Sequence, residues 1–328
     1  MKQKLLVIEL WAMGDLVVAT PFLRVAAEKF DVALLAKPMA RELQTRLWPG
    51  IEVIPFDFPW TAFRRKYDPT RWPWRELAGL VADLRLRRFD IVASGRWDPR
   101  DHFLSRLSAA PRRVGFPRLG SGLFLTESLS PPPEESHRYE NWRVVGRQLG
   151  MELPARERAI PVVPRGGSVV IHSGAAQAAR VWPLERFKFL AEKLRRDGYV
   201  AVLICDPGQR EWWTNQGEEV RTPGTIGEFL QILDGAGLFV GNDSGPGHLA
   251  GVLGIPTFTL FGNQYAGRFA PLSPQAEWIE GAECEFKPCY DECPFAQPEC
   301  LWAIRENEAW LRLKAFAAKH LTPLATSA

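Results

Sequence analysis

Three stretches of this chain hold residues whose types and spacing suit chemistry. GNDSGPGHLAG (residues 241–251) sets Asp243, Ser244 and His248 among glycines, directly after an apolar run. That run reads as a strand, which delivers Asp243 and Ser244 to its C-terminal edge, where ligands bind in open α/β sheets. Gly245 and Gly247 allow a backbone to approach a ligand closely, and Pro246 suits the first turn of a helix. Free N–H groups at such a helix start, with the Ser244 hydroxyl, would seat a phosphate. The same residues equally read as an Asp243/Ser244 helix cap followed by a packed histidine.

The second stretch is HSGAAQAARVWPLERF (172–187). Ser173, Gly174 and the alanines leave room for a ligand, and Arg180, just ahead of Trp182–Pro183, offers a fixed cation for a phosphate. A flexible surface loop with one solvated arginine would look the same. The third is LWAMGDLVVATPFLR (10–24), in which Asp15 stands between Gly14 and the apolar run Leu16–Ala19. A carboxylate there caps a helix, pairs with a cation, or serves as a general base at the end of a first strand. A fourth cluster, CEFKPCYDECPFAQPEC (284–300), gathers Cys284, Cys289, Cys293 and Cys300. Four thiols in so short a run could surround one zinc or iron ion tetrahedrally, or pack as free thiols in a loop. No pair has the C-x2-C spacing of a zinc ribbon, and disulfides do not suit a reducing compartment.

The elements that must position these residues read as two α/β halves. KLLVIEL, a helical pattern through Leu16–Lys29, then DVALLA (31–36) give strand, loop, helix, strand, the rhythm of a parallel sheet. A helix over 75–88 leads to a strand at FDIVAS (89–94). The proline- and glycine-bearing stretch PARERAIPVVPRGG (154–167) reads as a linker. Beyond it, strands at SVVIH, YVAVLI (199–204), LFVGND (238–243) and PTFTLF (256–261) alternate with helices from about Leu184, over 226–235 and from Pro246. A last helix is expected over 306–320. In between, WTAFRRKYDPTRWPW (60–74) mixes aromatic and basic residues with two helix-breaking prolines, a lid or loop suited to a membrane surface. No nucleic-acid module accompanies it, so nucleic acid is not an expected partner.

The totals exclude some classes. At 328 residues, 46% hydrophobic and 24% charged, the chain suits two globular domains. No apolar run reaches the ~18 residues of a membrane span. The basic-then-apolar start, MKQKLLVIEL, lacks a cleavage site and reads as a strand, which predicts a cytoplasmic protein. Net charge is +3 overall, but the first half is basic and the second acidic, which suits an anionic partner for the first.

Taken in order, the motifs resemble glycosyltransferase family nine, the ADP-heptose:lipopolysaccharide heptosyltransferases. The family's GD-x4-TP element is matched by Gly14–Asp15 and Thr20–Pro21, its H-x-G-A loop by His172–Ala175, and its W-P-x-x-x-F run by Trp182–Phe187. The element D-[ST]-G-P-x-H-[LI]-A is matched by Asp243–Ala250, and a late cysteine-rich segment also occurs in many members. The chain departs from the family at Glu9, where an arginine often stands, at the bulky Trp11, and in the loop AAQAA, which lacks phosphate-touching hydroxyls.

The resemblance implies an α/β fold of the GT-B type: two facing Rossmann-like domains with parallel sheets. Residues 1–160 would bind the acceptor and 161–305 the nucleotide-sugar, with a C-terminal helix (306–328) packing back on the first domain. It implies an inverting transfer of heptose from ADP-heptose to a lipopolysaccharide inner core or related surface glycan. Asp15 would be the catalytic base and Gly14 would lie on the acceptor side. Ser173, Gly174, Arg180, Asp243, Ser244, Gly245 and His248 would bind the donor. A cation and a helix start can neutralise the departing diphosphate, so no catalytic metal is required. An anionic glycolipid acceptor and a peripheral contact with the inner membrane follow. Other readings are a relative using another nucleotide-sugar or a protein acceptor, or a non-catalytic nucleotide-binding protein on the same fold.

Overall fold

A computed structural model describes residues 2–61, 68–163, 166–289 and 292–323. The centre of the expected aromatic–basic lid, 62–67, lies outside them, as does part of the linker at 164–165. The chain divides into two compact units, Met1–Pro154 and Ala155–Ala328, slightly ahead of the expected break near 160.

The first unit is built on six parallel strands: β1 (Lys4–Glu9), β2 (Asp31–Ala36), β3 (Glu52–Pro55), β4 (Ile91–Ser94), β5 (Arg112–Gly115) and β6 (Glu127–Ser128). Their order is β3-β2-β1-β4-β5-β6. Helices cover both faces of such a sheet, so its strands read as unbroken apolar runs rather than alternating ones. Leu5, Leu6, Val7 and Ile8 of β1 are accordingly all fully buried. The second unit repeats the plan with β7 (Ser168–His172), β8 (Ala201–Ile204), β9 (Val220–Arg221), β10 (Ala236–Asn242), β11 (Thr257–Phe261) and β12 (Ala276–Glu280). Its order is β12-β11-β10-β7-β8-β9, again all parallel. The strand order reverses direction between β1 and β4 and between β7 and β10. At such a switch point the loops leaving the two strands part, and a crevice opens at their C-terminal ends.

Two local expectations are corrected. The helix foreseen over Leu16–Lys29 is two, Met13–Val18 and Thr20–Lys29, which meet at Ala19. Pro21 falls in the first turn of the second, where its missing N–H leaves no hydrogen bond unmade. The last helix, Glu306–His320, was expected on the first domain. Its apolar stripe, Ala309, Trp310, Leu313, Phe316 and Ala317, is instead buried in the core of the second unit, beside Trp182, Phe187, Leu190 and Phe258. Helical spacing gives this segment one apolar face, and the Leu184–Arg196 helix and β10 pack against it.

Candidate active site

In the first unit the switch point gathers four charged residues. Glu9 ends β1, and Asp15 sits in the first turn of the following helix. Ala12 occupies the cap position there, so Asp15 is not a cap. It pairs: its Oδ1 lies 2.9 Å from Arg96 Nη1 and 3.1 Å from Arg138 Nη2. Arg96 follows β4, and Arg138 immediately precedes the helix Tyr139–Gln148. Close packing brings them together. Asn141 Nδ2 donates to the Gly95 carbonyl at 2.8 Å, and a Cβ on Gly95 would come within 2.6 Å of the Trp142 ring. The Arg96 guanidinium also lies over the Trp11 ring, 4.5 Å from its centroid.

The electrostatics there are unusual. Glu9 is 1% exposed, and burial pushes its carboxyl up to about 7. Arg96 opposes that rise, the Asp15 carboxylate adds to it, and Arg138 and the Trp11 N–H oppose it again. Asp101, wholly buried, is raised well above the carboxylate range, first by burial and then by Asp98 and Glu9. The Ser94 hydroxyl donates to it at 3.2 Å. Asp98 caps the helix Pro99–Leu107, accepting from the Arg100 N–H, and is clasped by the Arg100 side chain at 2.9 and 2.7 Å.

In the second unit the loops after β7 and β10 meet at their own switch point. Arg180 Nη1 lies 3.1 Å from Asp243 Oδ2, and His248 Nε2 lies 3.7 Å from Asp243 Oδ1. Ser244 occupies the cap position of the helix Gly245–Val252 but makes no side-chain cap bond, and its buried hydroxyl finds no partner among the described residues. Asn242 fixes the geometry: Nδ2 donates to the Ser173 carbonyl at 2.9 Å, and Oδ1 accepts from the Trp182 N–H at 3.1 Å. Gly174 lies against the Asp206 carboxylate, with no room for a Cβ. Burial lowers the His172 pKa, and Asp206, 3.8 Å from its Nε2, pulls the other way.

The structure thus brings Arg180, Asp243, Ser244, Gly245 and His248 to one edge, with Gly174 beside them. Ser173 turns inward: its hydroxyl donates to Gln209 at 2.8 Å and accepts from Trp213 at 3.1 Å, so it braces the loop. Gly14 and Asp15 lie in the first unit as expected. Sequence reading missed Arg96, Arg138, Asp101 and Asn242. Arg96 was findable, since GRWDPR follows a foreseen strand; Arg138 carried no local signal.

Cys284, Cys289, Cys293 and Cys300 line one small cavity of about 10 Å³. Burial raises the Cys300 thiol pKa. Thiols suit zinc or iron, but among the described residues no three metal-binding side chains are gathered to hold an ion. No chemical step is assigned to this cluster, and residues 290–291 within it lie outside the description.

Comparison with known proteins agrees with the fold. The model of glycosyltransferase family 9 (heptosyltransferase) matches residues 140–297, just under half of the chain. Lipopolysaccharide heptosyltransferase 3 of Escherichia coli (strain K12) is 31% identical over 108 residues, 29% of this chain and 30% of that protein. The matched stretch is therefore well short of the curated relative's length. Two solved structures share the fold along almost the whole chain. A glycosyl transferase family 9 protein from Veillonella parvula has a TM-score of 0.76 at 19% identity, covering 97% of this chain and 98% of that one. The E. coli heptosyltransferase WaaC with ADP has a TM-score of 0.75 at 18% identity, covering 96% and 100%. The likeness to these solved structures is one of fold, two α/β units with parallel sheets. Within that fold, residues 140–297 are similar to glycosyltransferase family 9 (heptosyltransferase).

Proposed function

We propose that this chain is an inverting, metal-independent glycosyltransferase that moves a heptose from ADP-heptose to a lipopolysaccharide inner core or related surface glycan. The observation that carries the reading is Arg180, Asp243 and the Ser244–His248 helix start at the switch point of the second unit. A guanidinium and free helix N–H groups suit a leaving diphosphate, whose charge they neutralise as the bond to the anomeric carbon breaks. The donor choice draws support from the fold shared with the E. coli heptosyltransferase WaaC with ADP. Asp15 takes the proton of the attacking acceptor hydroxyl, oriented by its two arginines.

The basic first unit suits an anionic glycolipid. A ladder of rings from Phe58 through Trp60 and Trp72 to Trp74, which is 57% exposed, supports peripheral contact with a membrane surface. Among the described residues no helix is long and apolar enough to cross a membrane. The loop AAQAA, poor in hydroxyls, favours a second reading in which another nucleotide-sugar is the donor.

Transfer assays with ADP-heptose and a phosphorylated glycolipid test the reading. Turnover is expected to survive EDTA and to invert the anomeric centre. Asp15→Asn is expected to lower kcat by roughly 10²- to 10⁴-fold with ADP affinity unchanged. Full activity in that variant removes the base assignment, and tighter binding of UDP or GDP than ADP moves the reading to the second donor class.

A further inference from the structure

The first unit holds a charge arrangement that proton abstraction alone does not explain. One carboxylate, Asp15, is served by two guanidiniums, and the charges of both also act on a second carboxyl, the buried Glu9 at the end of β1. Two N–H donors in the same cluster are buried without an acceptor among the described residues: Nε of Arg96 and the indole Nε1 of Trp11. Their side chains stack, with the guanidinium 4.5 Å from the ring centroid. Buried donors lacking acceptors carry a free-energy cost that an oxyanion would relieve, and a guanidinium is the group best shaped to bind one.

We propose that Arg96, Arg138 and the Trp11 indole N–H form a seat for an oxyanion of the acceptor, and that Glu9 is the positioning residue whose ionisation sets the strength of that seat. With Glu9 neutral, two guanidiniums face one carboxylate, and the cluster carries an excess positive charge that attracts an anion. With Glu9 ionised, the charges balance and the attraction weakens. Burial supports this switch lying near neutral pH, since it raises the Glu9 carboxyl to about 7.

The groups acting on Glu9 are Arg96 from the loop after β4, Asp15 from the helix after β1, and Arg138 before the helix Tyr139–Gln148. Asp101 also couples to it, but burial raises its carboxyl well above the usual range. His102, whose Nε2 lies 3.2 Å from the Arg96 carbonyl, has its pKa lowered by burial. Glu9 is thus the carboxyl of the cluster placed to change charge as pH rises through 7.

The proposal rests on reading the first unit as the acceptor side, but its test needs no turnover. Sulfate keeps one charge state from pH 6 to pH 8 and serves as the probe, titrated calorimetrically into full-length protein in an Arg180→Gln background that weakens anion binding at the second unit. Sulfate affinity is expected to fall about tenfold between pH 6 and pH 8. Glu9→Gln is expected to hold it at the pH 6 value throughout, and Arg138→Gln to weaken it at pH 6. An unchanged pH slope in Glu9→Gln, or unchanged affinity in Arg138→Gln, overturns the proposal.

A second measurement avoids the Glu9 substitution. By reciprocity, sulfate must raise the Glu9 titration midpoint by about one pH unit, followed by carbon-13 NMR of glutamate-labelled protein. A midpoint that sulfate leaves in place also overturns it. Acetate and dimethyl phosphate, compared at pH 6, separate a carboxylate-bearing from a phosphate-bearing acceptor. Failure of ADP binding or of transfer, with these sulfate results intact, would count against the proposed function and not against the seat.

Discussion

At the scale of single residues, Asp15 and Glu9 are two carboxyls in contrasting settings. Asp15 is part-exposed and oriented by two arginines, while Glu9 is buried and proton-hungry. That difference has a consequence for stability. The folded-state pKa of Glu9 is raised from 4.5 to about 7, so the native state binds the proton more tightly than the unfolded chain does. Its contribution is therefore fully present below pH 4.5 and is lost as pH rises through 7. Glu9→Gln, which stays neutral, should gain thermal stability over the wild type on going from pH 5 to pH 8, by up to roughly 3 kcal/mol. Calorimetric melting of both proteins across that range checks it, and a constant difference in Tm would refute it.

At the scale of elements, the candidate side chains depend on helices held by packing at a distance from them. The helix Tyr139–Gln148 lies against Gly95 because that residue has no Cβ, and this brings Arg138 to the loop of Arg96. In the second unit, Trp182 joins the Arg180 loop to the segment just before the last helix: its indole N–H donates to the Ile304 carbonyl at 3.0 Å. Phe316 of that helix is 2% exposed and meets Phe258 of β11 at 5.8 Å between ring centroids. Phe316→Ala should cost about 3–5 kcal/mol, read as a lower Tm for the transition of the second unit. A Tm within a degree of wild type would show that the helix is not integral to that core.

At the scale of the whole molecule, the two units share one topology but differ in charge. The basic surplus lies in the first half of the chain, where an anionic acceptor is proposed. Long-range attraction of that kind is screened within about 10 Å at 0.1 M salt. Raising NaCl from about 20 to about 300 mM should therefore raise the KM for a phosphorylated acceptor several-fold while kcat stays level. Steady-state kinetics over that series test it; a KM that does not respond to salt would remove charge steering from the account.

Much of this was readable before any coordinates. Parallel-sheet strands are buried on both faces, so LLVI, VALLA, SVVIH and TFTLF announce themselves as unbroken apolar runs, and the glycine-rich stretches after them mark the loops. The short strands β5, β6 and β9 gave no such signal, because RRVG, ES and VR are too brief or too polar for a period to show. The sequence by itself determined the alternation of elements, the two α/β halves, and Asp15, Arg180 and Asp243 as residues of the segments that follow strands. Those follow from local patterning, which each segment carries within itself. Only the tertiary structure decided that Asp15 is paired rather than capping, that Glu9 holds its proton near neutrality, and that the last helix serves the second core. Each of these depends on which distant segments the strand order makes neighbours, and on how much water that packing removes.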